Sequence, residues 1–235
     1  MIQDIVREKK KRLEALVQSI IARLEDCRSN HQGVDIVLEK FASLGFSQDK
    51  IIDVPPRISR HNQTLREAIS GVVNPKSYQI ISCLNACLGD LVWKEDESHF
   101  YEANENPGLG YTECNLHTQL IGPKASVMQA SDFMLGIFML GRWTFYRDHN
   151  HEASELYLNL SDRSGWRFNF GKWQDLPSGS IVWNPRRQIH ATRVYGEPFI
   201  SVFVWLDNIS CKCNLIYSGD WSQIEQDLLN EKTKS

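Results

Sequence analysis

Near the end of the chain, Phe199-Ile-Ser-Val-Phe-Val-Trp-Leu206 is apolar at all but one position. The run falls far short of the ~20 residues of a membrane span. It also lacks the alternation of a strand with one wet face, so it reads as a strand buried on both faces. Such a strand needs a packed layer on each side. The rest of the sequence divides into two parts that can supply them.

The first ~90 residues have helical periodicity. Residues 3–28 read as an amphipathic helix, with Ile5, Leu13, Leu16, Val17, Ile20, Ile21 and Leu24 at three- and four-residue steps. The basic run Lys9 to Arg12 reads as its solvated face. The break at 29–33 ends it, and a second helix over 34–44 stops at Gly45. Pro55-Pro56 marks a loop, and two more helices over 64–73 and 77–88 are separated by Asn74-Pro75. Aromatic and β-branched residues then rise, with turn signals every eight to twelve positions and a first clear loop from Asn104 to Gly110. Strands are expected at 115–121, 133–140, 143–147, 155–160, 181–184 and 199–206, and a terminal helix at 221–230 before a frayed end. The division is therefore an N-terminal helical segment (1–93), a β-barrel (94–215) and a C-terminal helix (216–235). No repeat or long linker separates independent domains, so the helices are expected to pack outside the barrel.

A composition of 42% hydrophobic and 23% charged residues suits an ordinary globular chain. The net charge of -3 gives no reason to expect nucleic acid. No apolar run approaches a membrane span, and Met1 to Arg12 has no apolar core after its charges, as a secretory signal would. The expectation is a cytoplasmic protein with six free, mostly buried thiols. Cys83 and Cys87 have helical spacing, and Cys211-x-Cys213 lacks the second pair of a zinc site.

Chemistry concentrates between Tyr146 and Tyr157. His149, His151, Glu155 and Tyr157 share one parity, which places them on one face of an extended strand. Two imidazoles and a carboxylate are good ligands for a divalent metal. His190, after the turn and apolar strand of 177–185, is the candidate fourth ligand. Alone, two histidines beside Asp148 and Glu152 read equally well as solvated loop residues; in company with Glu155 and His190 the metal reading is favoured. His31, His61, His99 and His117 have no partners at ligand spacing and read as structural. Tyr157 is either a core aromatic or a phenol whose pKa, ordinarily ~10, is brought down by a nearby dication. Tyr146 has the opposite parity and reaches the same cavity only if Arg147-Asp148 forms a bulge. Trp143, Trp166, Trp173, Trp183 and Trp205 either fill the barrel or offer faces to a cation. Cys114 and Arg142 have the reach of the cavity mouth, and nothing in the sequence selects them.

His149-x-His151-x-x-x-Glu155, with the later Gly179-x5-Pro185-x4-His190, is similar to the two motifs of the cupin superfamily. The ending Glu155-x-Tyr157 and the upstream Tyr146 resemble the cupin-type dimethylsulfoniopropionate (DMSP) lyases. Gly122-Pro123, the Trp166 and Trp173 pair, and Val204-Trp205 fit as well. The resemblance spans about 100–210. Asp162 and Arg187 depart from it where the general cupin pattern has glycine, and Val194 where it has asparagine. The resemblance implies a mainly β fold, a cupin jelly-roll barrel, with the helical segment outside it. It implies a divalent transition metal (Zn, Mn, Fe, Ni or Co) on His149, His151, Glu155 and His190. Tyr157 would be the base, and Tyr146 and Trp205 would bind a small-molecule substrate. The implied reaction is cleavage of DMSP to dimethyl sulfide and acrylate. Barrel cupins often pair, so a homodimer is possible. Two alternatives stand beside this reading: a metal cupin that oxygenates or isomerises another small molecule, and a non-enzymatic ligand-binding cupin.

Overall fold

The computed structural model describes residues 2–28, 31–96, 100–102 and 104–234. His99 and parts of the 29–33 break and of the C-terminal end lie outside the described residues. Four helices come first: α1 (Ile2–Glu25), α2 (Gln32–Leu44), α3 (Asn62–Ser70) and α4 (Tyr78–Cys87). The apolar stripe of α1 is buried from Leu13 to Leu24, while Ile5 is 63% exposed. α2 stops where expected, at Gly45, whose left-handed backbone (φ 58°) lets its N–H cap the Ala42 carbonyl. No helix among the described residues is long and apolar enough to cross a membrane.

The β part is two facing sheets. The first sheet has six strands: β1 (Asn115–Gly122), β2 (Met128–Gln129), β3 (Phe133–Leu140), β5 (Ser154–Asn159), β8 (Ile181–Asn184) and β10 (Phe199–Leu206), in the order β2-β1-β3-β10-β5-β8. The second has five: β4 (Phe145–His151), β6 (Ser164–Phe168), β7 (Gln174–Leu176), β9 (His190–Arg193) and β11 (Cys213–Leu215), in the order β11-β4-β9-β6-β7. Helix α5 (Trp221–Lys232) closes the chain, running past the expected end at 230. The architecture is the expected double-sheet, cupin-like fold with helices outside it.

β10 is buried on both faces. Ile200, Val202, Val204 and Leu206 join one core with Leu13, Leu16, Ile20 and Leu24 of α1 and Leu84 of α4. Phe199, Phe203 and Trp205 face the interior with Tyr146, Tyr157 and Trp166. Burying four such side chains is worth about 6–12 kcal/mol. That is comparable with the whole stability of a domain, about 5–15 kcal/mol. The helical segment is therefore a structural layer on the first sheet and not a hinged cover.

The second sheet was mostly invisible in the sequence. β6, β7, β9 and β11 are three to five residues long and carry polar and glycine residues, as in Ser164-Gly-Trp-Arg-Phe168. β4 starts at Phe145 and not at Trp143, because Trp143 has φ 59° and belongs to the preceding turn. Arg187, which stands where the cupin pattern has glycine, has φ 63°. The left-handed turn is retained at a position where a side chain makes it less favourable.

α5 packs on the outer face of the second sheet through Trp221, Ile224 and Leu228 against Phe145 and Ala191. Beneath it lies a buried ion pair. Arg167 Nε donates to Asp148 Oδ1 at 2.8 Å, Trp221 Nε1 donates to Asp148 Oδ2 at 2.7 Å, and Arg167 Nη1 reaches Asp220 Oδ2 at 2.6 Å. Asp148 and Arg167 are almost fully buried. Removing one member leaves a buried charge without its partner, which costs about 3–5 kcal/mol. Arg167→Met is expected to lower the unfolding free energy by about that amount, measured by urea denaturation at neutral pH. A loss within experimental error would remove this pair from the list of structural supports.

Candidate metal centre and cavity

A single extended strand cannot bring the motif residues to one ion, because His149 and Glu155 would be about 20 Å apart at ~3.3 Å per residue. The chain instead turns a corner at Glu152–Ala153 and changes sheets. His149 and His151 end β4 in the second sheet, and Glu155 and Tyr157 begin β5 in the first. Shared parity then puts both pairs on the inner faces of opposing sheets. His190, the first residue of β9, is the direct partner of His149.

Each imidazole is oriented by the main chain. Nδ1 of His149 lies 2.7 Å from the Arg147 carbonyl, Nδ1 of His151 2.9 Å from that of Ala153, and Nδ1 of His190 2.9 Å from that of Gln188. A carbonyl oxygen only accepts, so each Nδ1 carries the hydrogen, and each Nε2 presents a lone pair. The ligand-capable atoms of the three histidines all lie within 4.8 Å of one another, and all three residues are buried. Burial, then the neighbouring His190 and His151, hold His149 well below the usual histidine range, in its neutral, ligating form.

Glu155 faces this cluster. Its Oε2 is 3.3 Å from His151 Nε2 and 3.1 Å from His190 Nε2. The His190 Nε2 makes no hydrogen bond although it is buried. Two cross-strand neighbours hold the carboxylate: Trp205 Nε1 donates to Oε1 at 2.6 Å and Asn184 Nδ2 donates to Oε2 at 3.1 Å. Lone pairs at such separations repel unless a cation sits among them. Metal–ligand bonds of about 2.1 Å place neighbouring ligand atoms about 3.0–3.4 Å apart, which matches the spacings around Glu155. The buried histidine triad can therefore hold a metal, and the carboxylate beside it suits a divalent ion.

Tyr146 reaches the same space because of a bulge. β4 pairs with β9 at Tyr146↔Thr192 and next at His149↔His190, so β4 has one extra residue between these pairs. The Tyr146 ring lies between His149, at 4.2 Å between centroids, and Tyr111, at 4.6 Å, both stacked. With both faces covered, it offers its hydroxyl. Tyr101 donates to that hydroxyl at 2.6 Å. Burial, then the nearby Tyr101 and Tyr111, push Tyr146 well up, keeping it a neutral donor. Trp205 has one face against His151, with centroids 4.3 Å apart.

A narrow cavity opens on His149, Glu155, Tyr146, Tyr157 and Trp205. Phe100, Tyr111, His117, Phe138, Phe203 and Cys213 complete its wall. Several of these were not singled out in the sequence. Phe100 and Tyr111 lie in the irregular segment before β1, where adjacent aromatics in polar surroundings were the available signal. His117, read as structural, is in the cavity wall although it is not among the metal-capable histidines. Trp143 and Trp173 pack instead with the cluster under α5, and Arg142 bonds the Gly196 carbonyl and Glu67. All six cysteines are free.

The family model described as dimethylsulfoniopropionate (DMSP) lyase matches residues 53–201, more than half of the chain. The chain belongs to the DMSP lyase family. The dimethylsulfoniopropionate lyase DddQ of Ruegeria pomeroyi is 29% identical over 73 residues, a match covering 31% of this chain and 36% of that protein. This alignment thus spans only about a third of that relative. The crystal structure of DddQ from the same organism superposes with a TM-score of 0.58 at 17% identity, covering 88% of this chain and 98% of that one. A chain from the crystal structures of the DMSP lyases RdDddP and RnDddQII gives 0.64 at 16% identity, covering 89% and 100%. At such identities the structural likeness is one of fold.

Glu155 lies 3.3 Å and 3.1 Å from two nitrogens of the histidine triad, and its part in metal binding is open to direct measurement. Glu155→Ala is expected to lower metal content well below that of the unaltered protein after equal loading and dialysis, measured by inductively coupled plasma mass spectrometry. Unchanged content would take Glu155 out of the ligand set.

Proposed function

We propose that this chain is a metal-dependent carbon–sulfur lyase that cleaves DMSP by β-elimination to dimethyl sulfide and acrylate. The observation that carries this reading is, in a chain of the DMSP lyase family, a buried metal-capable triad of His149, His151 and His190 with Glu155 beside it, at an aromatic cavity lined by His149, Glu155 and Tyr157.

The proton to be removed lies on the carbon next to the substrate carboxylate, and its loss builds negative charge onto that carboxylate. A divalent metal held by the three histidines and Glu155 supplies Lewis-acid stabilisation of that charge. The Tyr146 hydroxyl hydrogen-bonds the carboxylate and orients it. Tyr157 Oη, as phenolate, takes the proton. The released electron pair forms the carbon–carbon double bond as the carbon–sulfur bond breaks. Dimethyl sulfide leaves as a neutral molecule, so no acid is required for it. The rings of Phe138, Phe203 and Trp205 offer apolar, electron-rich surface to the sulfonium. The same lining offers few partners for the several hydroxyls of a sugar, which disfavours an isomerase.

Tyr157 needs help to act as a base. Burial, then the Glu155 carboxylate, push its phenol well above the usual tyrosine range. Were His149, His151, His190 and Glu155 to hold a dication, it would reverse the sign of that local field and favour the phenolate. The reading therefore requires metal for deprotonation as well as for charge stabilisation.

The test is headspace measurement of dimethyl sulfide from purified protein loaded with Mn, Fe, Zn, Ni or Co and given DMSP. Turnover is expected with at least one metal and is expected to disappear after chelation. Tyr157→Phe is expected to keep its metal while losing about 10²–10⁴-fold in turnover, the usual contribution of a general base. No dimethyl sulfide with any of the five metals would overturn the lyase reading. Normal kinetics in Tyr157→Phe would remove only the base assignment.

A further inference from the structure

A second depression adjoins the cavity and shares the walls made by Phe100 and His117. Its remaining lining is Arg57, Lys94, Glu95, Gln119 and Lys124. Lys94 pairs with His117 in an isolated antiparallel bridge, with His117 N donating to the Lys94 carbonyl at 2.8 Å and Lys94 N to that of His117 at 2.9 Å. Directly opposed residues extend their side chains from the same face. Lys94 therefore projects from the face that carries His117 to the cavity wall. Phe100 stands between the two spaces, edge-on to His117 at 5.6 Å and to Trp205 at 5.5 Å.

The charges here are unbalanced. Glu95 is committed to other partners: its Oε2 accepts from Arg60 Nε at 3.0 Å and its Oε1 from Ser59 Oγ at 3.0 Å, and His61 lies 3.5 Å away. Among the described residues, Arg57, Lys94 and Lys124 make no ion pair. Burial, then the charges of Lys124 and Arg57, lower the pKa of the half-buried Lys94. Cations so gathered, with no ion-paired carboxylate among the described residues, repel one another, and an anion among them relieves the repulsion. Deeper in, Glu155 opposes an entering carboxylate, so a positive approach has a physical purpose.

We propose that Lys94, Lys124 and Arg57 form an anion-guiding vestibule that receives carboxylates on their way into and out of the cavity, past the wall of Phe100 and His117. The identity of the ligand class as a small carboxylate rests on the lyase reading. Under that reading the vestibule acts on the two sides of the reaction unequally. The substrate is a zwitterion of zero net charge, whereas the acrylate product is an anion, so the vestibule retains product more than it retains substrate.

The test uses sodium acrylate as the probe, titrated calorimetrically into metal-loaded protein. Ionic strengths of about 0.02 M and about 0.2 M shorten the screening length from about 20 Å to about 7 Å. Acrylate is expected to bind the unaltered protein several-fold more weakly at the higher salt. Lys94→Gln combined with Lys124→Gln is expected to bind about five- to tenfold more weakly at low salt, from two unit charges acting through water-like dielectric, and to lose most of the salt dependence. Lys94→Arg in place of Lys94→Gln is expected to restore most of it. Lys10→Gln combined with Lys11→Gln changes net charge equally on α1 and is expected to leave both affinity and salt dependence as they were. The vestibule is overturned if the unaltered protein does not bind acrylate. It is also overturned if the Lys94/Lys124 variant keeps its affinity and salt response, or if the α1 variant loses as much. Salt-dependent acrylate binding that needs Lys94 and Lys124, in a protein releasing no dimethyl sulfide from DMSP, sinks the lyase reading and supports the vestibule. Dimethyl sulfide release with acrylate binding indifferent to both lysines does the reverse.

Discussion

Three imidazoles direct lone pairs at a common point because their other nitrogens are bonded to main-chain carbonyls. Facing them is a carboxylate held by Trp205 and Asn184. A cation at its centre would relieve the repulsion among these groups. Much of the surrounding structure serves to keep the two halves apart and aligned. The histidines belong to one sheet and the carboxylate to the other, so the separation of the sheets sets the size of the site. Cross-strand pairing then fixes each element within its sheet: His149 with His190 in one, and Glu155 with Trp205 and Asn184 in the other.

The bulge in β4 connects this centre to the outer layers. One extra residue between Tyr146 and His149 brings two side chains of opposite parity to one face. It also leaves Asp148 directed away from the cavity, toward α5, where Arg167 and Trp221 bind it. The buried pair thus ties the irregular part of β4 to β6 and to the terminal helix. A carboxylate one residue from a metal-competent histidine serves the fold, and its neighbour serves the site. On the other side, the helical layer seals the outer face of β10, whose inner face presents Phe203 and Trp205 to the cavity. Both covering layers were implied by the double-sided burial of 199–206.

The sequence carried the composition of the site better than its shape. His149, His151, Glu155, Tyr157 and His190 could be chosen because ligand type and parity are local properties. The corner at Glu152–Ala153 was not legible, since two strands of matched parity on facing sheets look the same in sequence as one long strand. Strands β6, β7, β9 and β11 escaped notice for a related reason: they are short, and their pairing partners rather than their own residues make them strands. Phe100 and Tyr111 reach the cavity from an irregular segment through contacts that no periodicity encodes. Arg187 illustrates the opposite case. It departs from the cupin glycine, yet the backbone is left-handed there, and the Arg187 N–H bonds the His151 carbonyl at 2.8 Å.

Two tyrosines share the cavity, and the chain alone would keep both protonated. Burial raises Tyr146 and Tyr157 alike, but the next influence on each differs. Around Tyr146 it is other phenols, and Tyr101 already donates to its oxygen. A cation nearby changes little in that role, because a neutral hydroxyl remains a hydrogen-bonding group. For Tyr157 the second influence is Glu155, a negative charge that opposes the phenolate. Occupation of the site by a dication turns that same neighbour from an opponent of ionisation into part of a positive centre. In the proposed reaction a bound metal would therefore distinguish the two phenols, favouring ionisation of Tyr157 beside Glu155 and leaving Tyr146 as a neutral hydrogen-bonding group.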